Sequence, residues 1–238
     1  MRKTLLLVQV AGLTLMMALN TGCSEKKGGS PDQPYGEKSG IITYKPMEMM
    51  GVKVNQTIFF DDYGKKEMRE VLVEGDMMGT AMRQHTIDIR DGGVTYHYEL
   101  ENVAGGQDRA TKDVTKSAFT PAMAEQMNVA NLSDAMKAKL KFKEEGTETV
   151  AGLKGIKFSM APDSTNPQNI VEGVHYKNIP LKLKAGPMEM VVDKVELGAK
   201  IPADKFKIPA GYTIVEETPN QMPQMPSETP GAAEEPGK

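Results

Sequence analysis

Eighteen methionines and one cysteine are the side chains of this 238-residue chain whose chemistry stands out. Met47 and Met49 lie two residues apart, as do Met188 and Met190, and in a strand such pairs share a face. Soft thioethers select Cu(I), which makes these four residues a candidate metal set. Flexible, polarizable side chains also suit a cleft that accepts apolar ligands of varied shape. The second use is the expected one, because apolar pairs in strand phase are far commoner than metal sites. His85, His97 and His175 are the only histidines and stand well apart, with no HExxH, GxSxG or P-loop pattern to gather them. Asp61 and Asp62 precede Tyr63-Gly64, a setting for a solvated turn rather than a carboxylate pair at work. No catalytic residue, cofactor or enzymatic activity is expected. The net charge is −3 and no basic stripe interleaves with aromatics, which argues against a nucleic-acid partner.

Cys23 takes its meaning from what precedes it. Arg2 and Lys3, an apolar run over residues 5–19 and then small residues form a signal-peptide plan. A membrane span needs about 20 continuous apolar residues. This run is shorter, is interrupted by Gln9 and meets a polar stretch directly after Cys23. Asn20-Thr21-Gly22-Cys23 resembles the bacterial lipobox, with Asn20 where that motif usually has Leu. Residues 1–22 are therefore expected to be a removed leader and Cys23 the lipidated new N-terminus, tethering the chain to a membrane. At about 0.8 kcal/mol per buried CH₂, two or more acyl chains hold firmly. Under the enteric sorting rule, Ser24 points to the outer membrane, facing the periplasm.

The elements that position the remaining residues follow from period and punctuation. Residues 23–38 are rich in Lys, Gly, Pro and Ser and read as a flexible tether. Residues 216–238 hold five prolines among Glu, Gln and Ser and read as a disordered tail. One domain is left, residues 39–215. Val94, Tyr96, Tyr98 and Leu100 alternate with Thr95, His97 and Glu99, and Ile87 and Ile89 alternate likewise. Asp91-Gly92-Gly93 between them predicts a tight hairpin. A second hairpin is expected across residues 61–64, and further strands at 40–45, 109–115, 147–150, 155–160, 171–176, 181–184 and 188–197. Pro180 is expected to break the chain between two of these. Thr120-Pro121 opens a helical stretch in which Met123, Met127, Leu132, Met136 and Leu140 form an apolar stripe, with Asn131 and Ser133 as a place where it divides. With hydrophobic residues at 39% and no Trp, the pattern suits a mainly β, curved antiparallel sheet with one greasy face and a helix over it.

Residues 57–66, 146–152, 178–182 and 201–212 together are similar to segments of the LolA-like outer-membrane lipoprotein-sorting superfamily, across most of 39–215. That resemblance implies an open antiparallel β half-barrel with a helical insertion over its concave face. It also implies a role in which carriers hold lipoprotein acyl chains and relatives act as receptors or stress sensors. The chain departs from the family in lacking a tryptophan in the strand that ends Val174-His175-Tyr176, and in carrying its own anchor. The expectation is a non-enzymatic envelope lipoprotein whose half-barrel cleft binds a hydrophobic ligand, a lipid or a lipoprotein acyl chain. Met123, Met127, Met136, Leu140, Met188 and Met190 are the cavity candidates. The alternatives are a Met-rich Cu(I)-binding lipoprotein through Met47, Met49, Met188 and Met190, and a sensor or interaction module whose cavity is structural only.

Overall fold

Turn chemistry decides where this chain reverses. Strands β3 (Val52–Asp61) and β4 (Lys66–Met77) are joined by a 3-10 turn, Asp62–Gly64, in which Asp61 Oδ1 accepts from the Asp62 amide at 2.8 Å. Strands β5 (Thr80–Asp91) and β6 (Val94–Ala104) pair Asp91 with Val94 across Gly92, whose φ of 61° a side chain would resist. The expected hairpins at both places are present. The computed structural model describes residues 33–49, 51–77, 79–120, 132–161 and 170–217. The other described strands are β1 (Gly40–Tyr44), β2 (Met47–Met49), β7 (Gln107–Asp108), β8 (Asp113–Ala118), β9 (Lys143–Val150), β10 (Leu153–Met160), β11 (Val171–Tyr176), β12 (Ile179–Ala185), β13 (Met188–Leu197) and β14 (Thr213–Glu216).

These strands form one open sheet in the order β14-β8-β6-β5-β4-β3-β1-β13-β12-β11-β10-β9, with β2 on β3 and β7 on β6. Pairing is antiparallel except for β14, which runs parallel to β8. Arg90 of β5 and Phe158 of β10 line one cavity of about 380 Å³ although seven strand spacings separate them. Laid flat at about 4.8 Å per spacing, they would stand roughly 33 Å apart. The sheet therefore curls around the cavity, and β9 and β14 remain unjoined edges. The fold is the expected open half-barrel.

Apolar residues serve both faces. The inner core holds Ile42, Tyr44, Ile58, Phe60, Leu181 and Val192 among others. On the outer face Met68, Ile87, Ile89, Tyr98 and Val114 form a second core, covered by Phe206, Ile208 and Tyr212 from the segment after β13. The expectation of a single greasy face is corrected here. Ile58-Phe59-Phe60 runs apolar through both parities of β3, so this strand is buried from both sides.

Other boundaries also differ from the sequence reading. The folded domain begins before residue 39: Tyr35 is 5% exposed, its amide donates to the Tyr63 carbonyl at 3.0 Å, and the Gly36 amide donates to Lys177 at 2.8 Å. A large aromatic ring met the core that a Lys/Gly/Pro-rich segment hid in the sequence. At the other end β14 extends through Glu216, and the Glu217 amide reaches the Lys116 carbonyl at 2.9 Å. Pro180 lies inside β12, opposite His175 at a bulge, and the chain reverses instead at Lys177 and Asn178, both at positive φ. The strand expected at 109–115 starts at Asp113. Helix α1 (Asp134–Lys139) is capped by Ser133, where the stretch was expected to divide, and buries none of its residues. Residues 121–131, with Met123 and Met127, lie outside the described residues.

Candidate functional site

The inner face at β3, β4 and β5 carries charge where the neighbouring strands carry grease. Antiparallel register puts Phe60 opposite Glu67 and Ile58 opposite Arg69, and then Glu67 opposite Arg90. Directly opposed residues share a face, so an acid and two bases sit on the wall of the cavity beside aliphatic and aromatic side chains. Glu67 is 5% exposed and Arg90 9%. Arg90 Nη2 donates to Glu67 Oε2 at 2.7 Å and to the Gly64 carbonyl at 2.8 Å. The Tyr35 hydroxyl donates to the same Oε2 at 2.7 Å. Arg69 Nη2 reaches Glu67 Oε1 only at 3.4 Å, and Asp88, opposite Arg69 in register, is held by His97 Nδ1 at 2.7 Å.

The Tyr35 and Tyr44 phenols and the Arg69 guanidinium keep their protons. Burial pushes the Tyr35 hydroxyl well up, and the Glu67 charge adds to this, so it stays a donor. Burial likewise raises Tyr44, whose hydroxyl donates to the Pro180 carbonyl at 3.1 Å. For Arg69, burial favours loss of the proton, but Glu67 and other neighbours outweigh it and the net direction is upward.

Around the rest of the cavity the wall is mostly apolar: Tyr44, Ile58, Phe158, Leu183 and Met190, with Pro34 and Pro180. Phe158 lies over Gly173, its register partner in β11, and Phe142 stacks on it with centroids 5.6 Å apart. Lys137 of α1 sits over the Phe142 ring, and the Ala161 amide donates to Leu140, so α1 and the turn after it are fastened at this rim of the cavity. His175 lines the same wall. Its Nδ1 is buried without a partner among the described residues. Burial lowers its pKa, with Glu144 opposing and Lys137 assisting, so the ring is neutral at pH 7. Lys182, also on the lining, pairs with Glu148 at 3.2 Å and Glu189 at 3.5 Å.

The sequence-derived candidates scatter. Met190 lines the cavity, while Met188, on the same strand face, is 53% exposed near the strand end. Met136 and Leu140 are half-buried on and just after α1. Met47 lies in β2, paired to β3, whereas Met188 and Met190 lie in β13, paired to β1 and β12, so the strands of the Cu(I) set are not neighbours. The side chain of Met49 and all of Cys23 lie outside what is described. Sequence reasoning missed Glu67, Arg69 and Arg90. Their signal was present: counting back from the Asp61–Gly64 turn puts Glu67 and Arg69 in phase with Phe60 and Ile58.

No protein-family model and no curated protein matches the chain. A solved chain in the complex structure of Pseudomonas aeruginosa MucA/MucB is similar to it, at 15% identity and a TM-score of 0.44. The match covers 79% of this chain and 61% of that one, so this chain spans less than two thirds of the other's length.

Proposed function

We propose that this chain is a non-enzymatic envelope lipoprotein that holds an apolar ligand, a lipid or a lipoprotein acyl chain, inside the curl of its sheet. The observation that carries this reading is the cavity of about 380 Å³ with its largely apolar inner wall. Protein interiors rarely keep voids larger than a water, and small-ligand pockets begin near 300 Å³. A wall built of Tyr44, Ile58, Phe158, Leu183 and Met190 gains by meeting hydrocarbon rather than solvent. The leader, Cys23 and Ser24 support an outer-membrane anchor facing the periplasm, and the motif similarity to the LolA-like superfamily supports the cargo class.

Native mass spectrometry of the purified full-length chain tests the reading. A co-purifying lipid that is lost on delipidation and rebinds is the expected result. Retained copper that disappears in the double variant Met188→Leu, Met190→Leu would transfer the function to the thioethers. Neither species, with no uptake of added amphiphile, would leave the cavity a structural feature of an interaction module. Anchoring is tested separately: Cys23→Ser is expected to abolish acyl incorporation in metabolic labelling, and labelled mutant protein would refute the tether.

A further inference from the structure

The apolar wall accounts for a ligand's tail, but not for two arginines brought to the same cavity. Each guanidinium offers five N–H donors. Against these, among the described residues Arg90 makes two hydrogen bonds, both through Nη2, and Arg69 makes one long contact through its own Nη2. Nε of each is buried with no acceptor among the described residues. Arg90 is itself more than nine-tenths buried, and its guanidinium also lies 4.8 Å from the Phe119 ring centroid, which fixes its plane without supplying an acceptor. Among the described residues Glu67 is the one acid on the cavity wall, and Tyr35 takes part of its acceptor capacity. Lys182 is occupied by Glu148 and Glu189, and Asp88 by His97. The floor is therefore rich in donors, with two guanidinium groups sharing one lining carboxylate among the described residues, at the polar end of an apolar cavity.

Unsatisfied donors raise the energy of a buried site, and an oxyanion supplies the acceptors they lack. We infer that the ligand is a single-chain amphiphile with an anionic oxyacid head, carboxylate or phosphate, seated on Arg69 and Arg90 with its chain along Ile58, Phe158 and Met190. This rests on the apolar-ligand reading above and specifies its chemistry. Arg69 is the accessible half of the pair, with its side chain 32% exposed and its bond to Glu67 long, so it is the arm that receives the head. Arg90 holds Glu67 and the β3–β4 turn in place. The cavity is at the small end of ligand pockets, which suits one chain rather than a bundle of acyl chains.

The test is a matched series of ten-carbon probes titrated calorimetrically into the delipidated full-length chain below their aggregation concentrations: decanoate, decyl phosphate, decanol and decyltrimethylammonium. The two anions are expected to bind at least about tenfold tighter than the alcohol, the scale of one charge-assisted contact, and the cation weakest. Decanoate against decyl phosphate separates a fatty-acid ligand from a phosphate-headed one. Arg69→Gln is expected to close the gap between anion and alcohol, and Arg69→Lys to keep part of it. Glu67→Gln removes the competing acceptor charge and is expected to widen the gap, a gain that a damaged fold cannot produce. Equal binding of alcohol and anions would overturn the head-group assignment while leaving the apolar-ligand reading intact. No binding by any probe would remove that reading as well.

Discussion

At the residue scale, His175 is the group whose burial has a measurable consequence in solution. Its folded-state pKa lies below the ordinary imidazole value of 6.5, first through desolvation, with Glu144 opposing and Lys137 adding a smaller push in the same direction. The unfolded chain therefore binds the proton first as pH falls. The stability associated with a neutral His175 is complete above about pH 6.5 and is lost as pH drops through the folded pKa. His97 has the opposite sign: its hydrogen bond to Asp88 raises its pKa, so its contribution holds at low pH and fades as pH rises through the folded value. It is half exposed, and solvent screening keeps the pair weak. Chemical denaturation between pH 7 and 5 is thus expected to show falling stability in the parent chain and a flatter profile in His175→Gln, whereas an unchanged slope would mean that carboxylates set it. Gly173 is a second residue with a sharp expectation. A Cβ there would press on the Phe158 ring and stand 2.8 Å from the Lys182 carbonyl oxygen. Gly173→Ala is expected to cost about 1–3 kcal/mol in urea unfolding and to tilt Phe158 away from its place in the cavity wall.

At the scale of elements, the contrast lies between α1 and the β5–β6 hairpin. Isolated helices shorter than about 12 residues are marginal in water, so α1, with six residues and none buried, depends on its cap and its fastening to the rim. Ser133 Oγ accepts from the Met136 amide at 3.3 Å, and Lys137 and Lys139 sit at the negative end of the helix. The hairpin carries ten register pairs and places Ile87, Ile89 and Tyr98 in the outer core. Hydrogen exchange is expected to reach the amides of Asp134–Lys139 far sooner than those of the hairpin strands. Addition of decanoate should slow α1 and leave the hairpin unchanged, because the Phe142–Phe158 stack joins α1 to the cavity wall. Equal protection in both elements, insensitive to ligand, would mean that α1 has no part in covering the site. The hairpins were legible in the sequence because turns are local: Asp91-Gly92 and Asp61-Asp62-Tyr63-Gly64 announce themselves within four residues. Pro180 misled for the same reason. Its missing N–H forbids a central ladder bond only where one is required, and a bulge against His175 removes that requirement.

At the scale of the whole molecule, residues remote in sequence close the two ends of the domain onto its faces. Tyr35 packs against Phe60 at a centroid distance of 4.7 Å and bonds Glu67 beneath the cavity. A chain shortened to begin at Ser39 is expected to lose about 3–5 kcal/mol relative to one beginning at Gln33, as for truncation of a large buried aromatic, with a lower urea midpoint. Equal midpoints would show that the segment is appended rather than part of the core. On the outer face Tyr212 makes the same kind of closure, its ring 5.0 Å from Tyr98 and its hydroxyl donating to the Glu99 carbonyl at 3.2 Å.

Period and punctuation by themselves determined that this chain is mainly β, where most of its strands and turns lie, and that Cys23 follows a complete leader pattern, because each of these is written within a few neighbouring residues. Alternation also assigned residues to one strand face or the other. It could not say which face would be inner, and in β3 the run Ile58-Phe59-Phe60 serves both. Only the tertiary structure decided that β5 and β10 would meet around a cavity, and so that Glu67, Arg69, Arg90, Phe158 and His175 would line it together. The reason is that curvature accumulates from twist and bulges over many strand pairs. No local window holds that sum, and the donor-rich floor of the cavity exists only once it has been completed.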